Sequence, residues 1–353
     1  MPSALPPSAR PSSACMPATL KRTTSLHRAM ALALGVLSVN VLPAGAHAQS
    51  APTKLTFGSN WYAQAEHGGF YQAIAEGIYR KHGLDVTLKM GGPQVNGMQL
   101  LLAGQYDVAM GDDLQTYKGV EQGLPLVTIA TTFQQSPTVL VSHPGPKTLA
   151  DLKGRTLFIG QASETTFWPW LKTKYGFTDA QKKPYTFSVQ PFLVDKQSAT
   201  QGYLASEPYT IEQQTKQKPT VFLLGEFGYP PYAQTLVTTR SALTAKRDAL
   251  QRFVQASAEG WKSYLANPAA GNALILKDNP QMTPALLDYG VKALKTAKLV
   301  DGGDAAKRGL LTMTDARWKA TYDFMVQEKL LAPTVDYRKA FTTELVDKVN
   351  VLP

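Results

Sequence analysis

Between residues 53 and 113 the spacing of apolar side chains switches repeatedly between a period of two and a period near 3.6, which few folds accommodate. Leu55 and Phe57 alternate over 54–58. Phe70, Ile74 and Ile78 then recur every four residues, which predicts a helix over 68–81 with Gly83 as its left-handed cap. A second strand is expected over 84–90, ended by Gly91-Gly92-Pro93. Val95, Met98 and Leu102 then mark a helix, and 106–110 a third strand running into Gly111-Asp112-Asp113. Strands that alternate with helices pack as a mostly parallel α/β sheet, with ligands at the carboxyl ends of the strands.

The pattern continues. Strands are expected over 124–133 and 138–142, and after the break His143-Pro144-Gly145-Pro146 a new series begins. It comprises a strand at 155–160, a helix at 163–175 interrupted by Pro169, and strands at 185–193 and 220–224. Residues 235–239 read as the return crossing to the first lobe. From Lys246 the chain turns helical: Leu250, Phe253, Val254, Ser257, Trp261, Tyr264 and Leu265 form one stripe. Further helices are expected near 283–298 and 314–330. The domain reading is 49–140 plus 240–353 for the first lobe and 141–239 for the second.

Residues 1–48 read as an export signal. Lys21, Arg22 and Arg28 precede an apolar run over 29–42, and Ala46-His47-Ala48 supplies the small residues of a cleavage site. The expected location is therefore the periplasm. Cys15, the single cysteine among 353 residues, falls in that leader, so the mature chain would hold no disulfide, thiolate metal site or cysteine nucleophile. What remains is too long for a typical single core. The formal charge of +10 is scattered rather than clustered, which argues against nucleic acid as a partner.

Candidate binding residues gather at predicted strand ends. Asn60, Trp61 and Tyr62 follow the first strand; the two aromatic residues can stack on a flat ligand or pack locally, whereas Phe70 is assigned to the core. His67 opens the next helix without a second histidine at metal-ligand spacing. Gly92 and Gln94 lie in a turn open to close backbone approach. Asp112 and Asp113 could face the ligand, or one could cap the following helix. Glu207 and Tyr209 are the second-lobe counterparts, and Ser163, Thr165 and Thr166 could hold an anionic group at a helix start. Residues 225–232, rich in glycine, proline and aromatics, are either a cleft wall or a surface loop. The carboxylates favour a ligand with N–H donors over a bare sulfonate or nitrate.

Several motifs occur in a familiar order: Trp61…His67…Tyr71…Gly77-Ile78-Tyr79…Gly83-Leu84-Asp85-Val86, then 104–109 (GQYDVA), Gly123-Leu124-Pro125 and 149–155 (LADLKGR). Together they resemble the periplasmic binding proteins that serve importers of thiamine precursors, sulfonates, taurine and nitrate. The resemblance implies a two-lobed type II binding protein, joined by two crossing strands, that closes on a small-molecule ligand and delivers it to an ABC permease as a monomer. It implies no catalytic residue, cofactor or metal. His67, the aromatic residues near the first strand end and the Glu207-Pro208 step resemble the thiamine-precursor branch, which points to a pyrimidine-like solute. A sulfonate, taurine or nitrate receptor and a solute sensor are the same-fold alternatives. One departure is Gly202-Tyr203-Leu204-Ala205, where relatives carry an aspartate. Fungal pyrimidine synthases share the resemblance, but their cysteine-rich iron motif has no counterpart in the mature chain.

Overall fold

A computed structural model describes residues 51–353 apart from Pro93, Phe187 and the Ala162 side chain, so the expected export signal lies outside the described residues. Ten strands form two five-stranded sheets. The first holds β1 (Thr53–Gly58), β2 (Leu84–Lys89), β3 (Val108–Asp112), β4 (Leu126–Phe133) and β10 (Ala233–Thr239), in the order β2-β1-β3-β10-β4. The second holds β5 (Thr138–Ser142), β6 (Thr156–Ile159), β7 (Lys182–Pro184), β8 (Ser198–Tyr203) and β9 (Thr220–Leu223), in the order β7-β6-β8-β5-β9.

Each sheet is parallel except for one strand. β10 runs antiparallel to β3 and β4, and β5 runs antiparallel to β8 and β9. These two strands are the ones that enter a sheet directly from the other, so the antiparallel member marks each crossing. The crossings occupy 134–137 and 224–232. This moves the expected lobe boundaries by several residues: β5 belongs wholly to the second sheet and β10 to the first.

Helices α1 (Gly68–Ala75), α2 (Ile78–Lys81), α3 (Gly97–Leu102) and α4 (Asp113–Glu121) connect strands of the first sheet. Helices α5 (Phe167–Tyr175), α6 (Gln190–Val194) and α7 (Glu207–Thr215) serve the second. After β10 come α8 (Arg240–Ala245), α9 (Arg247–Ala266), α10 (Ala269–Asp278), α11 (Pro284–Thr296), α12 (Ala305–Arg308) and α13 (Asp315–Gln327). Among the described residues, no helix is long and apolar enough to cross a membrane.

Three local expectations are corrected. The helix expected over 68–81 is broken at Gly77, whose φ of 66° is left-handed and ends α1 before α2 begins. The strand expected over 185–193 is absent. Its place is taken by β7, whose lysines and terminal proline suit a sheet edge, and by α6, which Pro191 opens in its first turn. The helix expected from Ser163 starts instead at Phe167 after a 3-10 turn, which leaves Pro169 in the first turn, where a missing N–H costs nothing.

The main core lies between α1, α9 and the first sheet. Of the α9 stripe, Leu250, Phe253, Val254, Ser257, Trp261 and Tyr264 are all buried. The indole of Trp261 lies against Gly69, where an added Cβ would stand 2.2 Å from the ring, and 5.8 Å from Phe70 between centroids. Phe70 meets Phe57 of β1 at 4.8 Å, so Phe70 is core, as its spacing requires.

Candidate functional site

The crossings are pinned by the C-terminal helices. Arg317 on α13 donates to the Gln134 carbonyl at 2.8 Å and to the Pro230 carbonyl at 3.2 Å, one from each crossing. Its guanidinium lies 4.4 Å from the centre of the Tyr232 ring, and the Tyr232 hydroxyl accepts from the Thr314 N–H at 3.2 Å. Asp113 completes the junction. Its carboxylate accepts from the backbone N–H of Tyr232 at 2.9 Å and the Thr321 hydroxyl at 3.1 Å, and it is fully buried. Asp113 therefore holds the hinge rather than facing a ligand. Residues 225–232 run into this junction, where Tyr229 and Tyr232 are buried while Glu226 and Gly228 stay exposed.

Asp112, the last residue of β3, has different partners. It caps α4 by accepting from the Gln115 N–H at 2.7 Å and remains half-buried. Burial raises its pKa to about 6. Around it the end of β8 contributes Tyr203 and the second crossing Tyr229. The charges acting on Tyr203 are those of Asp112, Glu66 and Glu207, and those on Tyr229 include Asp112 and Asp113; all are acidic. Glu66 sits in the 3-10 turn Ala65–His67 that precedes α1, with 1% of its surface exposed. Its Oε1 has no hydrogen-bond partner, and burial, reinforced by Glu207, raises its pKa to about 8.

Glu207 opens α7 and is already engaged: it accepts from the Tyr203 N–H at 2.7 Å, the Tyr185 hydroxyl at 3.1 Å and the Ser206 hydroxyl. Tyr209 does not approach this cluster. Its ring lies 5.2 Å from Tyr289 of α11, a helix whose Gly290 also abuts Ala65 and Ala205. Tyr209 thus belongs to the contact that α11 makes with both halves.

The other candidates fall into a second group at the first-sheet rim. Asn60 and Gln94 line an open cavity of about 340 Å³ with residues 95–98, Met110 and Gln115. Tyr62, 40% exposed, packs its ring against Gly92 and 5.6 Å from the half-buried Trp61. The close approach expected of the glycine turn is made to the chain itself. A Cβ at Gly91 would stand 2.3 Å from the Ser59 carbonyl, and the Gly91 N–H donates to the Ser59 hydroxyl. His67 is fully buried, with Nε2 3.2 Å from Asn60 Oδ1 and Nδ1 unpartnered. Burial lowers its pKa to about 4, so the ring is neutral.

Ser163 is also committed. Its hydroxyl donates to Gln201 Oε1 at 2.8 Å, which also accepts from the Gly160 N–H, so it is not free to hold an anion. Thr165 is exposed at the end of the 161–165 turn, and Thr166 lies within hydrogen-bonding reach of Tyr229. Among the described residues, no group of three or more His, Cys, Asp or Glu is arranged to hold a metal ion.

Glu66, Tyr203, Tyr229 and Arg317 were not singled out in the sequence. Glu66 had a signal, an acid beside a strand end with no basic residue at helical spacing from it. Arg317 had none, because its partners lie 183 and 87 residues away.

A family model described as NMT1/THI5 like matches residues 64–271, more than half of the chain. The chain belongs to this family. Members bind small molecules and work with ABC permeases, and the fold is that of periplasmic substrate-binding proteins. The riboflavin-binding protein RibY of Chloroflexus aurantiacus is 24% identical over 85% of this chain and 88% of its own length. The formylaminopyrimidine-binding protein of Halalkalibacterium halodurans is 21% identical over 67% and 74%. The aliphatic sulphonate binding protein SsuA of Escherichia coli superposes with a TM-score of 0.63 at 14% identity, covering 86% of this chain and 94% of that one. This last likeness concerns the fold.

The titrations of this NMT1/THI5-like chain give its stability a defined pH dependence. Glu66 and Asp113 have folded-state pKa values near 8 and 7, above their ordinary 4.5 and 3.8. The unfolded chain therefore releases these protons first as pH rises, and folding is disfavoured up to the folded values. His67 acts oppositely but only below its ordinary 6.5. Between pH 6.5 and 8 the carboxyls dominate, so urea denaturation of the free protein should show stability falling as pH rises.

Proposed function

We propose that this protein is the extracytoplasmic solute receptor of an ABC importer, and that its cleft closes on a small nitrogen-bearing heterocycle. The reading rests on one observation: the side chains that meet at the carboxyl ends of β3 and β8 are acids and tyrosines drawn from both sheets. Such a lining accepts hydrogen bonds from N–H groups and repels a sulfonate or nitrate. Two sheets joined by two short crossings are the construction for hinge closure, and a ligand touching both halves shifts the population toward the closed form. The names of two relatives, one binding riboflavin and the other a formylaminopyrimidine, add support, since both solutes contain a pyrimidine-type ring. The leader sequence supports export.

A thermal-shift screen against hydroxymethylpyrimidine, formylaminopyrimidine, riboflavin, taurine, alkanesulfonates and nitrate tests the proposal. At least one heterocycle should raise the melting temperature, and the anions should leave it unchanged. Stabilisation by a sulfonate alone would overturn the ligand class. In the same assay Trp61→Ala should weaken heterocycle binding by about 1–3 kcal/mol if the indole stacks on the ring.

A further inference from the structure

Glu66 and Glu207 come from different halves of the chain, one in the turn before α1 and the other at the start of α7, yet each lies in the other's field. Their roles differ. Glu207 has hydrogen bonds to Tyr185, Ser206 and the Tyr203 backbone, whereas Glu66 keeps a buried, unpartnered Oε1. A buried polar atom without a partner is costly unless something fills its place. The groups that share its field carry no positive charge: His67 beside it is neutral, and the charges acting on Tyr203 of β8 and Tyr264 of α9 are acidic, from Asp112, Asp288, Glu207 and Glu66 itself.

On this basis, and granting the heterocycle reading above, we infer that Glu66 is the recognition residue for an amidine-type edge, a ring nitrogen beside an exocyclic amino group, and that it binds that edge as a neutral carboxylic acid. The acid O–H donates to the ring nitrogen, and its carbonyl accepts from the amino group. Burial makes its ionised form costly and the Glu207 charge adds to that cost, so one proton is retained. Glu66, poorly solvated and unpartnered, is its site. The free carboxyl loses this proton only as pH rises through about 8, so above that pH binding must restore it and affinity falls.

The test is calorimetric titration with 4-amino-5-hydroxymethyl-2-methylpyrimidine between pH 6 and 9, in two buffers of different ionisation enthalpy. Wild-type protein should take up almost no proton per ligand at pH 6 and most of one at pH 9. Glu66→Gln places an amide, which also offers one donor and one acceptor, where the acid stood. It should bind within a few-fold of wild type at neutral pH but with no proton uptake and a flat pH profile. Glu66→Ala should lose at least about tenfold in affinity. A Gln variant that keeps the wild-type pH profile, or an Ala variant that binds undiminished, overturns the role of Glu66 while leaving the receptor reading intact. Wild-type protein that binds no heterocycle overturns both. The proton count of the wild type needs no variant, and a count of zero across the range also overturns the inference.

Discussion

Trp261→Ala is expected to destabilise the protein by about 3–5 kcal/mol, among the largest losses available to a single substitution in this chain. The indole is fully buried and sits where α9 crosses α1. It packs on the bare backbone of Gly69, edge-on to Phe70 at 5.8 Å, Phe133 at 6.1 Å and Tyr264 at 5.8 Å. Those neighbours belong to three elements fixed by other contacts, so the cavity cannot collapse. Trp261→Phe, which keeps a ring on Gly69, should cost less than half as much. Urea denaturation of the two variants provides the check, and equal losses would mean that the ring stack does not carry the α1–α9 contact.

The second large effect separates two neighbours. Asp113→Ala should cost about 2–4 kcal/mol of stability, because it leaves the buried Tyr232 N–H and Thr321 hydroxyl without an acceptor. Asp112→Ala removes only a helix cap and should cost about 1 kcal/mol. Ligand affinity should show the opposite order, with Asp112→Ala the more damaging, if Asp112 lines the cleft as proposed while Asp113 is bound to the crossing. Denaturation and titration of both variants decide the point. A stability loss at Asp112 equal to that at Asp113 would contradict the division of roles.

These two aspartates also show how far the sequence could be read. Their position at a strand end was legible, and so was the alternative that one of them caps a helix. Which one is tied to the hinge depends on the second crossing, whose Tyr232 meets Asp113 from 119 residues later in the chain. The α9 stripe was legible because helical periodicity is a local property, and of its members only Leu265 stays half-buried. The α6–β7 region was not, because a three-residue edge strand with two lysines has no apolar alternation to detect. The turn at Gly91-Gly92 was read as a close approach, but sequence spacing cannot say to what, and the partner is the Ser59–Trp61 backbone. Glu66 went unweighed beside His67, although it is the acid that is left unpartnered. Arg317 joins both crossings to α13 through contacts that no local pattern encodes.

The claim on which the functional account stands is that acids from both sheets close on an N–H-bearing ring. Isothermal titration of the full protein at pH 7 with hydroxymethylpyrimidine, and in parallel with taurine, tests it most directly. The account predicts saturable one-to-one binding of the pyrimidine, weakened at least about tenfold by Asp112→Ala, and no heat of binding from taurine. Saturable binding of taurine with none of the pyrimidine would contradict it.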